Sequence, residues 1–293
     1  MHRETETLRL LKTLLGLYKP SGGEVRRLAE VARLNKLLLA YLRRVGDVLR
    51  DELVREEARY RWFMRNATEV VDALNEAGVG YALHKFRKPL DHVSVDLDIL
   101  VNVDDIPKAV KTLISRGFRV VVLEPYTVTL VRRGFIVDLY TNPSFAWVLY
   151  TDGEELLRCC VEEIEVNGVR ANALTKEAEI IVAAAHAVYK EHMVLLIDCL
   201  TAWAWTGRGV WSLAEKLGAD KALKTLHSIC RAIEAGYTET PHKLSIATTT
   251  RILSEKLVED PVFRATAINM AKYILKHRDI GTRLLSRILR ESY

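Results

Sequence analysis

The stretch from Ser94 to Val101 reads Ser-Val-Asp-Leu-Asp-Ile-Leu-Val. Successive side chains of an extended strand point to opposite faces, so Asp96 and Asp98 project together while Leu97 and Ile99 face a core. Aspartate is disfavoured in strands, and two on one face repel each other unless a cation or water compensates them. The pair therefore has two readings, a cation site or a strand end whose aspartates are simply solvated. A third carboxylate arrives a helix's length later. Tyr126 to Arg132 and Phe135 to Tyr140 flank Arg132-Arg133-Gly134, a hairpin signal. In the second hairpin strand Asp138 points away from Val137 and Leu139, and joins the same patch if this strand lies beside the first. Three aspartates in this order suit the holding of Mg²⁺ (or Mn²⁺) through hard oxygen ligands, with a triphosphate supplying further oxygens.

The elements that must position these groups follow from turn chemistry. Gly78 and Gly80 end a long helix and start a strand at Tyr81 to Lys85. The basic segment His84-Lys85-Phe86-Arg87-Lys88-Pro89 lies just ahead of the paired aspartates. As a turn between adjacent strands it brings Lys85, Arg87 and Lys88 towards phosphate oxygens, and as a plain loop it leaves them in solvent. Asp104 is placed to cap a helix running to about Arg116, stopped by Gly117. Asn142 to Glu155 reads as loop, and Asn167-Gly168 turns a further short hairpin. Strand, strand, helix, hairpin gives a small mixed sheet with helices on one side. On either side of it the pattern is helical: Thr5 to about Ala77, with segments at roughly Glu24 to Val45 and Asp51 to Ala77, and again from Thr175 onward. The expected fold class is α+β, divided into an N-terminal helical region (1–78), an α/β core (79–174) and a C-terminal helical domain (175–293).

The helix opening at Thr175 places His186 and Lys190 at i and i+4, on one face. That pair is either a ligand contact or a core-edge pair. Trp203, Trp205 and Trp211 read as a packed corner. The last helical segment, Val262 to Arg290, is basic, which fits an RNA-facing or a solubilising surface.

Composition narrows the class. The chain has 293 residues, 49% of them hydrophobic, enough for a sizeable core. No apolar stretch reaches membrane-span length, and no apolar segment precedes a cleavage site near Glu4 and Glu6, so the expected location is cytoplasmic with no membrane partner. Cys159, Cys160, Cys199 and Cys230 show neither metal-ligand spacing nor a disulfide framework, and are expected to be reduced, buried hydrophobes. His186 and His192 lack the four-residue spacing of a helical zinc site. A net charge of +5 is compatible with phosphate-bearing partners. Glutamine is absent while Arg, Lys and Glu abound, a composition that leans towards a heat-adapted source.

Taken together, Val95 to Val101, the Arg116-Gly117-Phe118 helix stop, Ile136-Val137-Asp138-Leu139, and the later His186-Ala187-Val188-Tyr189-Lys190-Glu191-His192 with Asp198 resemble the nucleotidyltransferase superfamily with its polymerase-beta-like fold. The similarity is to the group in which a helical region precedes the catalytic sheet, and it covers roughly Asp51 to Ala235. It implies an enzyme that moves a nucleotidyl group from a nucleoside triphosphate to an acceptor such as RNA, a protein or a small molecule. Asp96, Asp98 and Asp138 would hold two Mg²⁺ ions, Asp138 would help to deprotonate the acceptor, and Lys85, His186 and Lys190 would approach the triphosphate. One position departs from the pattern. Where the family carries Gly-Ser or Lys-Gly after the first strand, this chain has His84-Lys85-Phe86, without the glycine that lets backbone N–H groups approach phosphates. The competing expectation is a catalytically inactive relative that binds nucleic acid or serves as a toxin–antitoxin module.

Overall fold

Alternation along a single strand sets the architecture. In the computed structural model, which describes residues 4–145, 147–276 and 292–293, Asp96–Val101 forms a strand in which Leu97, Ile99 and Val101 are at most 1% exposed. These three pack on one face of the sheet, while Leu100, between them, joins a different apolar cluster on the other. Asp96 and Asp98 share the face of Leu100.

The N-terminal region comprises α1 (Glu6–Leu14), α2 (Gly23–Leu34), α3 (Leu38–Val45) and α4 (Arg50–Glu76). The expected continuous segment from Glu24 to Val45 is two helices, because Lys36 takes a left-handed φ of +57° and cannot continue the first. Next come β1 (Tyr81–Leu83), β2 (Asp96–Val101), α5 (Ile106–Ser115), β3 (Arg119–Glu124), β4 (Thr127–Arg132) and β5 (Phe135–Tyr140). Asp104 does not cap α5. It lies in a short 3-10 turn, and its neighbour Asp105, at the N-cap, turns its carboxylate to the Gly80 N–H at 2.8 Å instead. The segment expected to be loop after Tyr140 contains a small hairpin, β6 (Ser144–Phe145) and β7 (Val148–Leu149), and the start of α6 (Gly153–Cys159). The hairpin β8 (Val161–Val166) and β9 (Val169–Leu174) closes the sheet.

The seven strands run in the order β3-β4-β5-β2-β1-β9-β8. β2 pairs with β5 and β1 with β9 in parallel, and the remaining pairs are antiparallel. The mixed sheet is as expected for the α+β class. Its covering is not: helices pack on both faces. α4 and α5 cover Leu83, Leu97, Ile99, Val137 and Leu139, while Ala82, Leu100, Tyr140 and Leu174 join a second cluster shared with helices from both ends of the chain. A run such as Ile180 to Ala185, apolar all round, is what a helix buried on every side requires.

That helix, α7 (Lys176–Ala185), continues into a π-helical turn, His186–Glu191. Beyond it lie β10 (Met193–Val194), α8 (Leu196–Trp205), α9 (Arg208–Lys216), α10 (Asp220–Glu234), β11 (His242–Lys243), α11 (Ile246–Glu259) and α12 (Pro261–Lys276). The stretch of the basic terminal segment from 277 to 290 lies outside the described residues. The tryptophans pack half-buried against the larger cluster, Trp211 lying 5.1 Å from the His227 ring. The expectation of reduced cysteines is overturned. Sulfurs bond between Cys159 and Cys160 at the end of α6, and between Cys199 on α8 and Cys230 on α10, whose Cα atoms are 5.3 Å apart. Sequence spacing does not reveal that α8 and α10 pack side by side, and that packing brings the second pair together.

Candidate active site

Parallel pairing of β2 with β5 puts Asp98 directly opposite Asp138. Asp96 lies two residues along the same face. Carboxylate oxygens from the three residues all lie within 4.8 Å of one another. Asp98 is buried, and its Oδ1 has no hydrogen-bond partner among the described residues. Its Oδ2 meets the Lys85 ammonium at 2.7 Å. The Thr129 hydroxyl, across from Asp138 on β4, donates to Asp138 Oδ1.

The electrostatics follow from crowding. The Asp98 charge, and then burial, raise Asp96 above the usual carboxylate range. Burial, reinforced by Asp98, pushes Asp138 up to about 6 despite the Thr129 hydrogen bond. Carboxylates this close disfavour their own charged forms. A divalent cation among them would reverse that cost, and the orphaned, buried Asp98 oxygen offers a hard ligand atom with no other occupation. The donor set fits Mg²⁺ or Mn²⁺.

The basic turn before β2 is built for the same place. Lys85 adopts φ +57°, the left-handed conformation that the expected glycine would have supplied. The chain makes this turn without glycine because α7 holds it: the Glu179 carboxylate, fully buried, accepts the backbone N–H groups of Phe86 and Arg87 at 3.2 and 3.3 Å. Burial pushes Glu179 up to about 7, with Lys88 pulling the other way. Burial also works against the Lys85 charge, yet Asp98 and Asp96 outweigh it and the ammonium is held above its ordinary range. Arg87 leaves the cleft. Its guanidinium bonds the Leu174 carbonyl at 3.0 Å and pairs with Glu162, because the turn sends side chains 85 and 87 to different sides.

Around the carboxylates opens a cleft of about 650 Å³. Lys85, Lys88, His186 and Lys190 line it with the three aspartates. So do Lys36, His92, Asp198 and Tyr293. Burial, reinforced by Lys85 and Lys190, holds His186 well below the usual imidazole range, so this ring is neutral at pH 7. The π-helical turn widens the end of α7 where His186 and Lys190 reach the cleft. Asp198, buried in the first turn of α8, accepts the Leu195 N–H at 2.9 Å. Lys36 is delivered by its neighbour Asn35, whose side chain bridges the Leu196 N–H at 2.7 Å and the Thr240 carbonyl at 3.1 Å. A larger cavity, about 1040 Å³, lies beyond the other ends of β2 and β5, and the three carboxylates do not line it.

Sequence reasoning missed Lys36, Glu179 and Thr129. Glu179 carried a signal, a carboxylate at the edge of a run of apolar residues. Lys36 carried none, being one lysine among many until Asn35 and Thr240 meet.

Among solved structures the chain is similar to the antibiotic-resistance factor ANT(2'')-Ia in solution, with 14% identity over 59% of this chain and 92% of that one, at a TM-score of 0.34. It is also similar to ANT(2'')-Ia in complex with adenylyl-2''-tobramycin, with 13% identity, 58% and 98% coverage and a TM-score of 0.35. An antigenic nucleotidyltransferase-like protein from Paracoccidioides brasiliensis gives 11% identity, 64% and 96% coverage and a TM-score of 0.38. No curated protein matches. The family described as uncharacterised nucleotidyltransferase matches residues 23–233, a span that takes in α2 to α10 and every residue of the carboxylate cluster. The chain belongs to that family, and is an enzyme of the nucleotidyltransferase kind.

Proposed function

We propose that this protein transfers the NMP unit of a nucleoside triphosphate to a hydroxyl acceptor, such as one on a protein, RNA or a small molecule, with release of pyrophosphate. The observation that carries the reading is the convergence of Asp96, Asp98 and Asp138 beside Lys85 in one open cleft. Asp96, Asp98 and Asp138 would hold Mg²⁺ or Mn²⁺. When bound, such ions supply Lewis-acid polarisation of the reacting phosphoryl oxygens and neutralise charge on the departing pyrophosphate.

The chain's own groups do the rest. Lys85, fixed between the turn and Asp98, presents a permanent cation at the carboxylate end of the cleft, where it can follow charge onto the leaving phosphates. Lys88 and Lys190 line the same cleft and extend this positive surface along a bound triphosphate. His186, neutral, offers hydrogen bonds without adding charge. Glu179 keeps the left-handed turn closed, so the Lys85 position is set before the nucleotide arrives.

The test is label transfer from each α-labelled nucleoside triphosphate, with Mg²⁺ or Mn²⁺, to a mixture of RNA and protein acceptors. Asp98→Asn is expected to reduce transfer by at least about 100-fold and to weaken Mn²⁺ binding while the circular dichroism spectrum is unchanged. Normal turnover in that variant would remove the carboxylate mechanism.

A further inference from the structure

The wall of the cleft formed by α8 and the α2–α3 joint holds a phenol. Tyr293 Oη donates to Asp198 Oδ2 at 2.6 Å. The Tyr293 ring stands edge-on to His186 with centroids 5.1 Å apart, and Lys36 Nζ lies 4.9 Å from its centroid. Ser292, beside it, bonds the Leu34 carbonyl and so pins this short segment to the end of α2. A tyrosine held only by packing would meet apolar side chains alone. This ring rests against the larger apolar cluster and also meets a lysine, an imidazole and a carboxylate, in the same cleft as Asp96, Asp98 and Asp138.

We propose that the acceptor of this enzyme is a tyrosyl hydroxyl, and that Tyr293 is itself an acceptor, modified at Oη with an NMP group. The proposal rests on the nucleotidyl-transfer reading and names its acceptor. A cleft of about 650 Å³ is about 11 Å across if taken as a sphere, enough to place one phosphate between the carboxylate cluster and the phenol. The Asp198 carboxylate already accepts the hydroxyl's hydrogen bond, and the Leu195 N–H fixes that carboxylate at the start of α8. In the transfer, the Tyr293 Oη–Pα bond forms as the bond from Pα to the bridging oxygen of the β-phosphate breaks. Pyrophosphate leaves with that bonding pair, and the phenolic proton passes to Asp198 Oδ2 along the existing hydrogen bond. Burial raises Asp198 above the usual carboxylate range, which suits a group that must accept a proton. Lys36 Nζ stands 4.9 Å from the centroid of the Tyr293 ring; burial lowers it below the usual lysine range, with Asp96 and Asp198 pulling the other way.

The experiment uses the full chain with each α-labelled nucleoside triphosphate and Mg²⁺ or Mn²⁺, without added acceptor, followed by peptide mapping by mass spectrometry. The expected result is an NMP adduct on Tyr293, lost in Tyr293→Phe and slowed at least tenfold in Asp198→Asn, with a shifted pH profile in the latter. Arg87→Ala, outside the cleft, is expected to keep Mn²⁺ and nucleotide binding and the Tyr293 adduct, and the unaltered chain is expected to label an added tyrosine-containing peptide. A protein that binds Mn²⁺ and nucleotide through Asp98 but leaves Tyr293 unmodified, or carries the label on another residue, overturns the proposal. If Asp98→Asn changes neither Mn²⁺ nor nucleotide binding, it is the nucleotidyl-transfer reading that fails.

Discussion

The two faces of β2 are made by the same six residues and do opposite work. On one, Leu97, Ile99 and Val101 are sealed under α4 and α5, each at most 1% exposed. On the other, Asp96 and Asp98 crowd against Asp138 in a cleft, where the Asp98 charge and burial raise Asp96, and burial and the Asp98 charge raise Asp138. The first face lowers the free energy of the fold by removing apolar area from water. The second raises it, since buried like charges repel and one buried oxygen has no partner among the described residues. The lesson is that a strand of period two can hold the stability of a fold and a candidate reactive site back to back, on its two faces.

The comparison can be broken by trading the faces against each other. The largest effect is expected on the charged side: Asp138→Asn should lower label transfer at least about 100-fold while shifting the melting temperature little or upward, because it removes a raised carboxylate from a crowded site. Parallel activity and melting measurements on this variant would blur the distinction if both fell together. On the apolar side, Ile99→Ala should cost about 2–5 kcal/mol in denaturant unfolding, with near-normal turnover per folded molecule.

Glu179 sharpens the boundary between the faces, because it is buried yet serves the turn that carries Lys85. Glu179→Ala should raise the KM for nucleoside triphosphate about tenfold with a smaller change in kcat, since an unpaired backbone N–H group loosens the turn rather than removing a reacting group. Its pH dependence has a definite sign. The carboxyl is raised to about 7 in the folded protein, so the native state holds this proton more tightly than the unfolded chain. Its contribution to stability is fully present below the ordinary carboxylate range and is lost as pH rises through about 7. Glu179→Gln should flatten that part of the curve of melting temperature against pH; an unchanged curve would show that another group sets it. The smallest effect belongs to Arg87→Ala. Its guanidinium faces Leu174 and Glu162 outside the cleft, so nucleotide affinity should stay within about twofold, whereas Lys88→Ala, inside it, should weaken binding several-fold.

Much of the sheet was legible because its signals are local. Alternation showed that Asp96 and Asp98 share a face, Arg133-Gly134 and Asn167-Gly168 marked two hairpins, and Gly78 marked the joint before β1. Each depends on residues within about a turn or a strand of one another, where backbone geometry leaves few options. The reach of the site across the chain was harder to see. Lys36 enters the cleft because Asn35 clasps Leu196 and Thr240, more than 160 positions away. Lys85 stands in for a glycine only because Glu179, 94 positions on, binds the turn.

The sequence by itself determined the alternation of β2, the three aspartates and their order, and an α+β class with helices at both ends. The tertiary structure alone decided that helices cover both faces, that Arg87 leaves the cleft, that Cys199 meets Cys230, and that Asp198 shares a pocket with the carboxylates. The physical reason is range: strand pleat and turn conformation are fixed by neighbouring residues, whereas a buried hydrogen bond between distant segments exists only once packing has brought both partners out of water.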